Sequence, residues 1–162
     1  MNKTVILRVS DPTLEHGVYR SILRIAAPHT SLGEYTRPFM RSTPFNDFNE
    51  GQKLDRHCVI FLKGDTSYNY RFGFYTPQQL IYWWNEEERY AMYSLMNKRQ
   101  RQTWNINYIL VDNRTVGRFK SQCIFKVESI ARYPKPEKLR SLPLNATDEQ
   151  IQNNWENLIA SI

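Results

Sequence analysis

The chain has 162 residues, of which 22 are Lys or Arg and 16 are Asp or Glu, and 41% of its residues are hydrophobic. This length suits one domain with a hydrophobic core that needs no metal or disulfide. The aromatic content of 14% and the presence of only six glycines exclude disordered, collagen-like and low-complexity proteins. No apolar run approaches the about 18 residues of a membrane span, which excludes an integral membrane protein.

The N-terminal half is predicted to contain two pairs of strands separated by a long loop. Apolar and β-branched residues indicate strands at 4–9 and 21–27. Residues 28–54 contain three prolines and no sustained period, which is typical of a binding loop or lid. The apolar run 57–63 and the alternating segment 68–75 then predict a hairpin.

A capping box marks the start of a long helix. Thr76 supplies the capping hydroxyl, Pro77 suits the first helical position and Gln79 suits the third. An apolar stripe continues to residue 95, and basic residues follow it, where cations complement the helix dipole. The sequence therefore predicts one helix over 77–98.

The C-terminal half is predicted to contain further strands and a second helix. Alternating residues indicate a strand at 102–111, and the segment 115–130 is expected to return antiparallel to it with a bend. Residues 133–146 carry three prolines and are expected to form a connector. A second capping box then starts an amphipathic helix at 147–162.

Strands joined by short turns favour an antiparallel arrangement in an α+β fold. We predict a single domain with one antiparallel sheet of about five to seven strands, crossed by the helix over 77–98. Residues 1–132 form the core domain in this prediction, residues 133–146 form the connector, and residues 147–162 form a helix that packs on the domain or on a partner.

Positive charge is concentrated in one part of the chain. Residues 98–140 hold eleven basic and three acidic side chains, a net charge of +8, whereas the whole chain has +6. Such a local excess attracts polyanions. We therefore predict a small non-enzymatic nucleic-acid-binding protein of low sequence specificity, with phosphate contacts dominating and the choice of DNA or RNA open. The predicted site residues are Lys98, Arg99, Arg101, Trp104, Arg114, Arg118, Lys120 and Lys126.

An alternative function is binding of an acidic protein partner, for example by a viral accessory protein or a host-directed inhibitor. Adjacent tryptophans in one helix cannot both face a narrow core stripe. Either one of them lies exposed, which makes Trp83 and Trp84 candidate partner-binding residues because tryptophan is enriched in interfaces, or a broad core-facing stripe accepts both.

A metal-dependent nuclease is the third possibility, since two or three converging acids can hold a catalytic cation. Its acids would come from Asp55, Asp65, Asp112 and Glu128. The three histidines are scattered and no phosphate-binding glycine motif is present, so we predict no metal, no cofactor and no catalytic residue.

The two cysteines indicate the compartment. Cys58 and Cys123 lie in apolar stretches without a CxxC pair, which favours buried free thiols. The N-terminus lacks the apolar segment of a secretory signal, so we expect a cytoplasmic protein.

Overall fold

A computed structural model of the chain describes residues 2–14, 51, 53–63, 70–127 and 133–162. The expected strand at 21–27 and nearly all of the expected loop at 28–54 lie outside these residues. In chain order, the described elements are β1 (Lys3–Ser10), α1 (Arg56–Leu62), β2 (Tyr70–Gly73), α2 (Pro77–Trp83), α3 (Glu86–Leu95), α4 (Lys98–Thr103), β3 (Asn105–Asp112), β4 (Gly117–Arg118), β5 (Cys123–Lys126), β6 (Glu137–Pro143) and α5 (Asp148–Ser161).

These elements form a single α+β fold with antiparallel pairing, as predicted. The predicted single sheet is wrong, because the described strands divide into two sheets of three strands each. The first has the order β1-β3-β6 and the second has the order β2-β5-β4. We call them sheet 1 and sheet 2.

Sheet 1 is built on the pairing of β1 with β3, which runs from Lys3 opposite Asp112 to Ser10 opposite Asn105. β6 pairs with the other edge of β3 and lies inside the segment that was expected to be a connector. The six residues 137–142 contain no proline. The prolines around them therefore flank a short edge strand, where a missing backbone N–H group is tolerated.

Sheet 2 pairs Tyr70 with Lys126 at one end and Gly73 with Cys123 at the other. The segment 115–130 was expected to return antiparallel to the strand at 102–111. Its described part instead forms β4 and β5, which enclose the turn 119–122, and β5 pairs with β4 and β2 in the other sheet. Leu7 and Phe74 join the two sheets by two backbone hydrogen bonds of 2.9 and 2.7 Å. A Cβ atom at Gly73 would lie 2.8 Å from the Leu7 carbonyl oxygen, so this close approach requires glycine.

The predicted helix over 77–98 is three helices. Thr76 caps α2 as expected, but Asn85 starts α3 with a capping box and Asn97 starts α4 with another. In each box the asparagine accepts from a backbone N–H while Glu88 or Gln100 accepts from the asparagine N–H. These caps satisfy backbone groups at both breaks, so the chain changes direction there at little cost.

The apolar run 57–63 was predicted to be a strand and forms most of α1 instead. A short continuous apolar run does not distinguish a buried strand from a buried helix, and here packing selects the helix. Cys58 of α1 joins a core cluster with Tyr70, Phe119 and Ile124 of sheet 2 or its turn.

The C-terminal helix α5 packs against sheet 1. Ile151 is completely buried, and its carbonyl oxygen accepts a 2.6 Å hydrogen bond from the Tyr108 hydroxyl of β3. The Trp155 indole N–H donates to the Val5 carbonyl of β1 at 3.3 Å. Both cysteines are buried free thiols, as predicted. Across the described ranges, no helix has both the length and the apolar character that crossing a bilayer requires.

Candidate nucleic-acid interface

Three of the predicted site residues come together beside sheet 2. Arg114 lies in a 3₁₀ turn at 113–115, Arg118 lies in β4 and Lys126 ends β5. The turn forms because the Asp112 carboxylate accepts a 3.0 Å hydrogen bond from the Arg114 backbone N–H. This local bond directs the chain from the end of β3 into β4, so the turn with Arg114 leads directly to Arg118.

Arg114 is held between a carboxylate and an aromatic ring. Its Nε and Nη2 atoms donate to the two Asp112 oxygens at 2.9 and 2.7 Å. Its guanidinium carbon lies 4.6 Å from the Tyr133 ring centroid, a cation–π distance. Hydrogen bonding from Arg114 lowers the pKa of Asp112, so this carboxylate is ionised at neutral pH. The Arg114 side chain nevertheless stays 52% exposed.

Arg118 is held in the same way by Asp55, the residue that precedes α1. The Asp55 carboxylate accepts from the Arg118 backbone N–H at 2.7 Å and from its Nε atom at 3.1 Å. The guanidinium carbon lies 5.2 Å from the Tyr75 ring centroid. Hydrogen bonding to Asp55 raises the pKa of Arg118, whose side chain is 47% exposed.

Tyr75 connects the two arginines. Its hydroxyl accepts from Arg118 Nη1 at 3.4 Å and donates to Asn113 Oδ1 at 3.3 Å. Asn113 directly precedes Arg114 in the 3₁₀ turn. Tyr75 therefore links the Arg118 guanidinium to the turn that carries Arg114.

Lys126 completes the arrangement. Its ammonium nitrogen lies 5.3 Å from the Tyr70 ring centroid, and the Tyr70 hydroxyl lies 2.7 Å from His57 Nδ1. Burial lowers the pKa of His57, and the positive charges of Lys126 and Arg56 lower it further. A hydrogen bond to the Arg114 backbone and the negative charge of Asp55 raise it, but the net shift is downward. This histidine is therefore neutral at physiological pH.

The three cation–tyrosine pairs define what we call the cationic–aromatic surface: Arg114, Arg118, Lys126, Tyr70, Tyr75 and Tyr133. The pattern of the sequence predicts the three cations as nucleic-acid contacts and Asp55 and Asp112 only as possible metal ligands, and it does not single out the three tyrosines as partners. Only the pairing of Asp112 with Arg114 had a local signal, since an Asp two residues before an Arg in a turn forms an Asx turn. Arg118 and Tyr75 are 43 positions apart, so only tertiary structure joins them.

The basic residues of α4 lie elsewhere. Lys98, Arg99 and Arg101 precede β3, whereas Arg114 follows it. The eight residues of β3 span roughly 24 Å, so these two groups of cations lie at opposite ends of the strand. Arg101 is also engaged locally, because its Nε donates to the Tyr93 carbonyl at 2.9 Å.

Lys120 lies in the turn between β4 and β5, which α2 holds in place. Gln79 Nε2 donates to the Lys120 carbonyl at 3.1 Å, and the Trp83 indole N–H donates to the Ser121 carbonyl at 2.8 Å. The Lys120 side chain itself is exposed. A rigid turn therefore presents this cation to solvent.

Three tryptophans that were predicted as candidate contact residues lie in the core instead. Trp83, Trp84 and Trp104 are 4%, 2% and 8% exposed and belong to the main core cluster. Because α2 ends at Trp83, Trp84 has a non-helical backbone (φ −139°, ψ 84°), and both adjacent indoles reach the core. A continuous helix would not allow this, which is why the sequence indicated exposure.

Among residues 2–14, 51, 53–63, 70–127 and 133–162, no group of three His, Cys, Asp or Glu side chains could hold a metal ion. Of the four candidate acids, Asp55 and Asp112 form ion pairs with arginines, while Asp65 and Glu128 lie outside the described residues. Comparison with known proteins finds no matching protein family, no matching curated protein and no matching solved structure.

Proposed function

We propose that this protein binds nucleic acid through the cationic–aromatic surface. The observation that carries the proposal is that Arg114, Arg118 and Lys126 each lie beside a tyrosine ring, and that Tyr75 links Arg118 to the turn that carries Arg114. Cations attract phosphates, while guanidinium planes and the partly exposed rings of Tyr75 and Tyr133 offer contacts to bases. The exposed Lys120 and Arg56 add positive charge from neighbouring elements.

Low sequence specificity follows from the way the arginines are held. A specific contact to guanine requires two N–H groups of one arginine to reach a base edge. In Arg114 and Arg118, the Nε and Nη2 atoms already donate to carboxylates. These guanidinium groups are therefore better suited to general contacts than to reading base edges.

The proposed interface is narrower than the basic segment 98–140. Lys98 and Arg99 are exposed, but they lie at the other end of β3. This separation provides an internal control, because equal charge can be removed from the interface or from the remote positions.

The test is fluorescence anisotropy with labelled single-stranded DNA, duplex DNA and single-stranded RNA of 20 nucleotides at 50 and 200 mM salt. For about two to four phosphate contacts, affinity is expected to fall about 7- to 50-fold between these salt concentrations for the single strands and about 12- to 150-fold for the duplex. The triple variant Arg114→Gln/Arg118→Gln/Lys126→Gln is expected to lose at least about tenfold in affinity.

The matched control is Lys98→Gln/Arg99→Gln/Arg140→Gln, which removes the same charge from exposed positions outside the interface. It is expected to lose no more than about threefold, through the general field alone. Equal losses in both triple variants would show that only net charge matters. Absence of binding at 50 mM salt would end the nucleic-acid proposal.

A second candidate function, binding of an acidic protein segment, is favoured by β6. Among the residues that the structure describes, β6 has a strand neighbour on one side only, and its Lys138 and Arg140 side chains are exposed. An exposed strand edge can accept an extended peptide by backbone hydrogen bonding, with charges supplying specificity.

This second candidate is tested by calorimetry with two synthetic eight-residue peptides. One peptide alternates Glu with Val, and the other alternates Lys with Val. The acidic peptide is expected to bind at least about tenfold more tightly, and Lys138→Glu/Arg140→Glu to abolish the difference. The control Lys98→Glu/Arg99→Glu should leave the preference intact. Equal binding of both peptides to the wild type would contradict the candidate.

A further inference from the structure

We infer that the cationic–aromatic surface binds unpaired nucleotides, stacking bases on its arginine–tyrosine pairs, and that it prefers single strands to duplexes. This inference rests on the proposed nucleic-acid function and specifies its substrate class. It concerns Arg114 with Tyr133 and Arg118 with Tyr75, the two pairs whose arginine side chains are about half exposed.

Charge neutralisation argues against a surface that acts mainly by attracting phosphates. Asp112 compensates Arg114 and Asp55 compensates Arg118, both through ion pairs of 3.1 Å or less. The net field at these two arginines is therefore weaker than the number of cations suggests. A duplex presents chiefly its phosphates to a general binding surface and gains little from such compensated pairs.

The same ion pairs favour stacking, because they fix the orientation of the guanidinium planes. Each arginine donates through Nε and Nη2 to both oxygens of its carboxylate, and two such bonds hold a planar group in one orientation. A tyrosine ring lies beside each of the two guanidinium groups, 4.6 and 5.2 Å from the ring centroid. Fixed guanidinium planes and aromatic rings are the groups on which proteins stack unpaired bases.

The two pairs can serve one strand. Tyr75 bonds both Arg118 and Asn113, the neighbour of Arg114, so the Arg118–Tyr75 pair adjoins the turn that carries Arg114. A flexible single strand can splay successive bases onto both pairs. A duplex would first have to break base pairs to do the same, at a cost of a few kcal/mol per flipped base.

Three ligands of equal length test the inference on the wild-type protein at 100 mM salt: single-stranded DNA, its duplex, and a strand with abasic sites at all internal positions. The abasic strand keeps the phosphates and lacks the bases. Stacking of one base contributes roughly 5- to 150-fold in affinity. We therefore expect the intact single strand to bind at least about tenfold more tightly than either other ligand.

Charge-conserving variants test the role of the guanidinium planes. Arg114→Lys/Arg118→Lys keeps the charge but removes both planes, and it is expected to bind the intact strand about as weakly as the abasic strand. Arg99→Lys/Arg140→Lys is the matched control and should retain wild-type affinity. Circular dichroism and thermal unfolding establish that both double variants are folded. The comparison of the three ligands uses the wild-type protein alone and does not depend on any variant.

The outcomes separate this inference from the function on which it rests. The duplex or the abasic strand could bind as tightly as the intact strand, with this binding lost in Arg114→Gln/Arg118→Gln/Lys126→Gln. That result would overturn the single-strand inference and retain the proposed nucleic-acid binding. Unchanged affinity in a folded Arg114→Lys/Arg118→Lys protein would overturn stacking on these arginines. Absence of binding to any ligand would overturn both.

Discussion

The guanidinium of Arg89 lies 2.6 Å from the carboxylate of Asp148, which joins α3 to the first turn of α5. The Arg89 side chain is completely buried, whereas that of Asp148 is 43% exposed. The same guanidinium donates to the carbonyl oxygens of Trp84 at 2.6 Å and Ala146 at 3.1 Å. One buried cation therefore connects the end of α2, the segment before α5 and α5 itself, with Asp148 as its counter-charge.

Removal of this counter-charge is expected to destabilise the protein strongly. Asp148→Ala leaves a buried guanidinium with two carbonyl acceptors and no carboxylate, and we expect a loss of about 2–4 kcal/mol in the free energy of unfolding. Urea denaturation measures this loss. Glu149→Ala is the control, because Glu149 is an exposed carboxylate in the same first turn; it should cost about 0.5 kcal/mol through the helix dipole. Equal losses in the two variants would contradict a specific role for Asp148.

His57 makes the stability of the fold depend on pH. Its pKa is lowered from the ordinary value of 6.5, first by burial and then by Lys126 and Arg56, with the Arg114 backbone and Asp55 acting in the opposite direction. The unfolded chain therefore takes up a proton before the folded protein does. The free energy of unfolding is expected to fall as pH decreases from about 6.5 towards 5, and to be independent of this group above that range.

His57→Gln tests the assignment, because glutamine can accept the Tyr70 hydroxyl hydrogen bond but does not titrate. Urea denaturation at several pH values between 5 and 7.5 should give a flatter profile for the variant than for the wild type. Asp112 does not interfere, since its lowered pKa means that its contribution is lost only below its ordinary value of 3.8. Parallel profiles in the two proteins would contradict the assignment.

Local signals in the sequence predicted those elements whose ends are marked by side chains. The side-chain cap at Thr76 and the capping box at Thr147 start α2 and α5 as expected, although Gln79 accepts from the Tyr75 N–H and so does not complete a box with Thr76. The caps at Asn85 and Asn97 follow the same rule, but the apolar spacing across them also fits one continuous helix, and only tertiary packing distinguishes the two. α1 was mistaken for a strand because an apolar run of seven residues carries no period.

The candidate site was predictable only in its charges. A count of basic residues found Arg114, Arg118 and Lys126, but it could not separate them from Arg99, which lies beyond β3. The tyrosine and aspartate partners come from distant parts of the chain, as with Asp55 and Arg118, which are 63 positions apart. Such pairings depend on how α1 packs against sheet 2, which no local pattern encodes.

The two asparagine caps are expected to stabilise the breaks between α2, α3 and α4. Asn85→Ala and Asn97→Ala should each lower the free energy of unfolding by about 1 kcal/mol, because each removes the acceptor for a backbone N–H group at a helix start. Asn157→Ala, at an exposed interior position of α5, is the control and should change stability by less than about 0.5 kcal/mol. Thermal unfolding compares the three variants. A cap variant as stable as the wild type would mean that packing alone fixes that break.

The hydroxyl of Tyr108 is expected to contribute to the attachment of α5. Tyr108 is completely buried and donates to the Ile151 carbonyl at 2.6 Å, so Tyr108→Phe should cost about 1 kcal/mol in the free energy of unfolding. Tyr90→Phe is the matched control, because Tyr90 is 63% exposed, and it should change little. Burial raises the pKa of Tyr108 above its ordinary value of 10.0, so the unfolded chain loses this proton first as pH rises. The free energy of unfolding of the wild type should therefore fall towards that of Tyr108→Phe above about pH 10. Urea denaturation at pH 9 and 11 measures both values. An equal difference between the two proteins at both pH values would contradict a buried, protonated hydroxyl at this position.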